Sequence, residues 1–199
     1  MSAAITTAPL IANIPKRRSP ARKLPTTLAE YLVWQPKDGY YYEWANGKLL
    51  KIDPMIYPHQ LHIVKNLTRQ FVKTDAYLDG DELTPEFRMA TIDTQYRVPD
   101  MSYWTVKQQR DHAAGRRAVS TFVVEIISKH DLAYDVEWKM EEYFQAGVRL
   151  VWHIFPETKK IYAFSSPYNV SVYHDDSVCN AEEVIEGFSL KAKDIFKLP

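Results

Sequence analysis

The stretch Thr121–Asp131, "TFVVEIISKHD", decides how the rest of the chain is read. Residues 121–127 have the β-branched and aromatic character of a buried strand, yet Glu125 sits among them. An ionised carboxylate in an apolar strand is costly unless something is paired with it. Side chains alternate along a strand. Phe122, Val124 and Ile126 therefore share one face, and Val123, Glu125 and Ile127 share the other.

Downstream, "DLAYDVEWKMEEYFQAG" (Asp131–Gly147) predicts a helix with Leu132, Val136, Met140 and Tyr143 as its apolar stripe and Gly147 as its stop. "RLVWHIF" (Arg149–Phe155) is a second buried strand. A strand–helix–strand crossover of this length joins parallel strands, normally right-handed. The crossover also supplies Glu125 with a partner. The strand runs three residues past Glu125, roughly 10 Å, and Lys139 lies eight residues into the returning helix, roughly 12 Å back. Lys139 is thus level with Glu125, on the rim of the stripe beside Val136 and Tyr143.

Upstream, "TQYRVPDMSYW" (Thr94–Trp104) reads as a strand, with Pro99 marking an edge or a kink and Asp100 just beyond it. If this strand neighbours 121–127, the backbones are about 4.8 Å apart. Two carboxylates that close repel unless a proton or a divalent cation lies between them. Carboxylate and carbonyl oxygens are hard ligands suited to Mg²⁺ or Mn²⁺. Glu43, in "YYYEWANGKL", is a third acid set among aromatic residues. Paired carboxylates, a metal and a lysine suit phosphodiester hydrolysis. The metal activates water and neutralises charge, and the lysine supports the developing oxyanion.

The remaining segments surround this centre. "PTTLAEYLVWQ" carries a capping box, Thr27 with Glu30, and predicts a helix to about Trp34. Asn46-Gly47 joins two β-rich runs as a type I′ hairpin. Residues 59–78 predict one amphipathic helix with Leu61, Val64, Leu67 and Phe71 on its apolar side. "EFRMATI" (86–92) reads as a strand, and "VKQQRDHAAGRR" (106–117) as polar helix plus loop. "KIYAFS" pairs back across the "PETK" turn, "VSVYH" adds a strand, and "GFSLKAKDIF" (187–196) closes the chain with a short helix. The expected class is α/β, a mixed sheet core flanked by helices with an N-terminal helix and hairpin. Residues 1–24, carrying Lys16, Arg17, Arg18, Arg22 and Lys23, read as a flexible basic arm, and 25–199 as a single domain. The basic residues follow the apolar part of the arm, the wrong order for a signal peptide.

Composition narrows the function classes. The 199 residues are 46% hydrophobic, enough for a core, and 25 Lys+Arg balance 25 Asp+Glu. Zero net charge argues against a strongly basic nucleic-acid coat but leaves room for a local basic groove. The single cysteine, Cys179, excludes an internal disulfide and a cysteine zinc cluster, and fits the reducing cytoplasm. No apolar run approaches the roughly 20 residues that span a bilayer. His59, His62, His130 and His153 form no zinc-binding pattern.

The strings V-P-D, V-V-E-I-I-S, E-x-K-x-E-E-Y-x-x-A-G and R-L-V-W-x-I-x-P-E-T-K occur here in that order. Together with "YYEWANGKL", His59-Gln60 and the closing "GFSL…DIF", they resemble the Uma-type family of restriction endonucleases. That family was long catalogued as a domain of unknown function and belongs to the PD-(D/E)XK nuclease superfamily. The likeness runs from about Leu28 to Phe196. It implies a restriction-endonuclease-like fold and a divalent-metal-dependent endonuclease acting on DNA. In that pattern Asp100 and Glu125 are the metal-binding acids, with the backbone carbonyl of Ile126 as a third oxygen ligand. Ile127 stands where the superfamily usually has its lysine, and Lys139 matches a lysine moved to the following helix. Glu43 matches an early glutamate of such sites. Ser128-Lys129-His130 departs from the usual S-P-S and adds positive potential at the strand end. His59 is a candidate phosphate contact, as are Arg116 and Arg117 if their loop borders the cleft. Duplex cleavage needs two sites, so a homodimer is expected.

Plainer roles exist for each residue. Glu125 could pair with Lys139 without a metal, and Asp100 could cap a turn after Pro99. Glu43 could face Lys48 across the hairpin, and Lys139 could pair on the surface with Asp135 or Glu142. Read together, these make a catalytically degenerate nuclease fold that binds nucleic acid or a protein. A carbohydrate-active enzyme using two carboxylates is a third reading.

Overall fold

The computed structural model of the chain describes residues 23–52 and 58–199, leaving aside the side chains of Pro58 and His59. The arm expected over 1–24 falls outside these residues apart from Lys23 and Leu24. Helix α1 (Leu28–Val33) is capped by the Thr27 hydroxyl, which accepts the Glu30 N–H. It leads into the hairpin β1 (Tyr41–Ala45) and β2 (Lys48–Ile52). Asn46 and Gly47 have φ of 52° and 70°, the doubly positive pair that a type I′ turn requires.

Helices α2 (Pro58–Phe71) and α3 (Asp75–Leu78) follow. The single helix expected over 59–78 is broken because Thr74 is extended and starts α3 as its N-cap. Ile63, Leu67 and Phe71 are buried, whereas Leu61, expected in the stripe, is exposed.

Next come β3 (Glu82–Pro85), β4 (Met89–Ala90), β5 (Tyr96–Arg97) and β6 (Met101–Trp104). The strand expected over 94–104 is two strands in two different sheets. Proline has no N–H to give a ladder, and the link Val98-Pro99-Asp100 carries the chain from one sheet to the other. The strand expected over 86–92 is paired only at Met89–Ala90, and β3 was not foreseen.

Helix α4 (Val106–Ala113) precedes β7 (Phe122–Ile126), α5 (Ala133–Ala146) and β8 (Leu150–Phe155). These are the expected crossover, and β7 and β8 are parallel with Glu125 opposite His153. Strands β9 (Lys160–Ser166) and β10 (Asn169–His174) add antiparallel neighbours. The closing segment is not all helix. Strand β11 (Val178–Asn180) pairs with β12 (Ser189–Lys191) before the single turn α6 (Ala192–Ile195).

Among the described residues the sheets run β2-β1-β5-β4, β10-β9-β8-β7-β6-β3 and β11-β12. The architecture is mixed α/β, as expected. On one face of β7, Phe122, Val124 and Ile126 join the main core with Leu67, Trp152 and Phe188. On the other, Val123 packs with Trp104, Tyr143 and Val151. Met140 and Tyr143 of α5 are buried, but residues 131–135 are all exposed, including Leu132 at 67%. The apolar stripe of α5 therefore begins a turn later than its spacing suggests.

Candidate active site

The break at Pro99 positions the first acid. Met101 is the first ladder residue of β6 and faces Val124 of β7. One step further along the same register, Asp100 falls opposite Glu125. The half-buried Asp100 accepts the Ile126 N–H on Oδ2 at 2.5 Å. Burial and the neighbouring Glu125 carboxylate push Asp100 up to about 8, against the lowering pull of the Ile126 N–H and of Lys139.

Glu125 is buried on the α5 side of β7. Its Oε1 accepts the Tyr143 hydroxyl at 2.5 Å and lies 3.9 Å from Lys139 Nζ. Burial raises the Glu125 carboxyl above its usual range, and Lys139 and the Tyr143 hydroxyl offset only part of that rise. Lys139 is nearer to Glu43, at 3.1 Å from Oε1. Burial disfavours its charge, but Glu125 and Glu43 outweigh that and hold the ammonium above the usual lysine range. Lys139 is therefore a fixed positive charge.

Glu43 lies opposite Leu50 in the hairpin, and its carboxylate meets Arg97, Lys139 and the Val98 N–H instead of Lys48. Arg97 bridges Glu43, with Nη1 3.0 Å from Oε2, and Glu142, with Nη2 2.5 Å from Oε2. Thr91 donates its hydroxyl to the same Glu142. Burial works against the Arg97 charge, but Glu142 and Glu43 more than restore it. The network holds four carboxylates, Glu43, Asp100, Glu125 and Glu142, against two cations, Arg97 and Lys139. Asp100 has no ion pair within it. Fully ionised, the set carries two more negative than positive charges, which one divalent cation would balance; without a cation, the raised Asp100 keeps its proton near neutral pH.

The structure thus brings Glu43, Asp100, Glu125 and Lys139 together. Among the described residues no three His, Cys, Asp or Glu side chains converge as a metal-holding group. A cation here would rely on two carboxylates and a backbone oxygen such as the Ile126 carbonyl. Arg116 is 2.5 Å from Asp111. Its loop, with Arg117, leads into the start of β7, at the opposite end of the strand from Glu125. His59 is in the first turn of α2, and its side chain lies outside the described residues.

Three residues of the site were not assigned to it from sequence. Arg97 and Glu142 are the centre of the network, and Tyr143 was read only as core. Arg97 had a signal, a charge inside an apolar strand run. His153 stands beside Glu125 on β8, 3% exposed, with Nε2 buried and unpartnered. Burial and Lys139 pull it down to about 4, so it is neutral.

A family model described as "Putative restriction endonuclease" matches residues 28–193. The chain belongs to the Uma2 family. Its fold is similar to that of a crystallised protein from Anabaena variabilis, titled a putative nuclease belonging to DUF820. The two share 19% identity with a TM-score of 0.72, over 86% of this chain and 98% of that one. Among curated proteins none matches significantly. Membership agrees with the resemblance read from the motifs, and the Uma2 match spans both sheets that supply the network. Among the described residues no helix is long and apolar enough to cross a membrane.

Proposed function

We propose that the chain is a divalent-metal-dependent endonuclease that hydrolyses DNA phosphodiester bonds beside Asp100 and Glu125. The observation that carries this reading is the pairing of two carboxylates on adjacent strands, one of them in no ion pair, with a charged lysine 3.9 Å from Glu125. Mg²⁺ or Mn²⁺ held by Asp100, Glu125 and the Ile126 carbonyl would supply an activated water and neutralise phosphate charge.

The chain's own residues have distinct tasks. Lys139, permanently charged, does not accept a proton from water near neutral pH. It donates hydrogen bonds to the attacked phosphate and counters the charge that grows there. Glu43 fixes Lys139 through Oε1, while Arg97 fixes Glu43 through Oε2. The Tyr143 hydroxyl and Lys139 both act on Oε1 of Glu125 and so set the rotamer of that carboxylate. His59 and the Arg116–Arg117 loop are outlying candidates for DNA-backbone contacts. A homodimer would present one site to each strand of a duplex.

The test is nicking of a supercoiled plasmid in Mg²⁺, in Mn²⁺ and in EDTA. We expect cation-dependent nicking that is lost in Asp100→Asn and in Glu125→Gln. A folded wild type that binds plasmid but nicks it in neither cation would favour the degenerate binding fold instead.

A further inference from the structure

Beside the ion network is a pocket of about 180 Å³ that the chemistry above does not use. Trp138, Glu141 and Gln145 of α5 line one part, and Asn46, Ile92 and Gln95 from two turns line another. At ~30 Å³ per water it has room for about six waters, or for one flat heteroaromatic ring. Arg97 reaches both the pocket and the network, with its charge already matched by Glu43 and Glu142.

Three features point to a ligand. Trp138 is 50% exposed yet braced, its ring 4.9 Å from that of Tyr134. The Oε1 of Gln95 is buried and accepts no hydrogen bond. Glu141 takes part in none of the ion pairs among the described residues. The pocket therefore offers an aromatic surface, one buried acceptor without a donor, one part-exposed carboxylate without an ion pair, and no unmatched cation. A phosphate would meet the Glu141 carboxylate. A neutral planar ring bearing N–H groups suits both acceptors. Adenine, cytosine and guanine carry an exocyclic amino group, and thymine does not. Arg97 and Glu142 line the pocket and belong to the network that holds Lys139, so the pocket adjoins the site.

We infer that this pocket takes one unstacked nucleobase bearing an exocyclic amino group, stacked on Trp138 and read by Gln95 and Glu141. The inference rests on the nuclease reading only for the presence of a strand in the cleft. Enzymes that draw a base from the stack commonly hold it in this way, between an aromatic surface and hydrogen-bonding groups.

The test is equilibrium binding of dye-labelled oligo-dA, oligo-dC and oligo-dT to the full chain in EDTA, read by fluorescence anisotropy. Oligo-dA and oligo-dC should bind more tightly than oligo-dT by about 5- to 150-fold, the range of one good base contact. Trp138→Ala should weaken oligo-dA and oligo-dC by about 5- to 150-fold, the range of one lost stack. Gln95→Met should shrink the preference, and Glu141→Gln, which adds a donor, should raise oligo-dT binding relative to the others. Melting temperatures confirm that each variant folds. Equal affinity for all three oligonucleotides, or no binding to any of them, would overturn the inference. So would a preference unchanged in both Gln95→Met and Glu141→Gln. Base preference without plasmid nicking would sink the catalytic reading and leave the pocket standing. Nicking without base preference would do the reverse.

Discussion

Strand β7 is buried throughout, yet its two faces are closed by different physics. Towards α2 and α6, Phe122, Val124 and Ile126 join the main apolar core, where the contact is dispersion and excluded water. Towards α5, Val123 is packed in the same way, but two residues on Glu125 meets a lysine and a tyrosine hydroxyl, with Asp100 across the ladder. Buried ion pairs contribute little net stability compared with apolar packing of the same volume. The first face therefore holds the fold, and the second keeps charges out of water for another purpose. Substitutions on the two faces should separate stability from chemistry.

The largest effect is expected on the dry face. Trp152→Ala removes a fully buried ring from the main core and should cost about 3–5 kcal/mol of stability. Urea unfolding measures that loss. Nicking per folded molecule should stay near wild type, and a much lower specific rate would show that the two faces are not separable.

On the charged face, Lys139→Ala should slow nicking by about 10²–10³, the usual loss for one preorganised donor. The fold should survive with reduced stability, because Glu125 loses its cation and Glu43 keeps only Arg97. Ile127→Lys on that background should recover part of the rate by returning a lysine to the strand. Equal rates for wild type and Lys139→Ala at matched folded fractions would remove the lysine from the mechanism.

The third expectation concerns pH. Burial and the Glu125 carboxylate push Asp100 up to about 8 in the folded chain, against about 3.9 for an unperturbed aspartate. Between those values the folded state binds more protons, so stability falls as pH rises from about 4 towards 8. The slope is at most about 1.4 kcal/mol per pH unit for one group. Glu125 adds to it with the same sign, since it too is raised. Denaturant melts across this window in a metal-free buffer should show a shallower slope for Asp100→Asn. Identical slopes in the two proteins would mean that Asp100 is ionised in the fold.

The smallest effect distinguishes the ends of α5. Leu132 fits an apolar stripe by spacing but is exposed, so Leu132→Ser should stay within about 0.5 kcal/mol of wild type. A cost in the core range would bury it after all.

The central crossover was legible because its signals are local and strong. A β-branched run, a period of 3.6 and Gly147 in the left-handed region at φ 109° all agree. Strand and helix rise were enough to bring Lys139 level with Glu125, and the two stand 3.9 Å apart. Strand β3 was not legible, because "ELTP" at a sheet edge buries only Leu83 and ends in proline. The partition of 94–104 between two sheets was only half legible. Pro99 announces a break, but which sheet each half joins depends on contacts far away in sequence. The same is true of Arg97, whose partners Glu43 and Glu142 lie 54 and 45 residues away. Glu142 itself looks like a surface residue of an amphipathic helix until β5 is placed against it.

The most direct test of the two-carboxylate cation site is calorimetric titration of Mn²⁺ near pH 7, repeated in buffers of different ionisation enthalpy. With Asp100 at about 8, binding should fill one site per chain and release close to one proton. Asp100→Asn should lose both the affinity and the proton. Undiminished Mn²⁺ affinity in that variant, or a wild type that binds no Mn²⁺, would contradict the site.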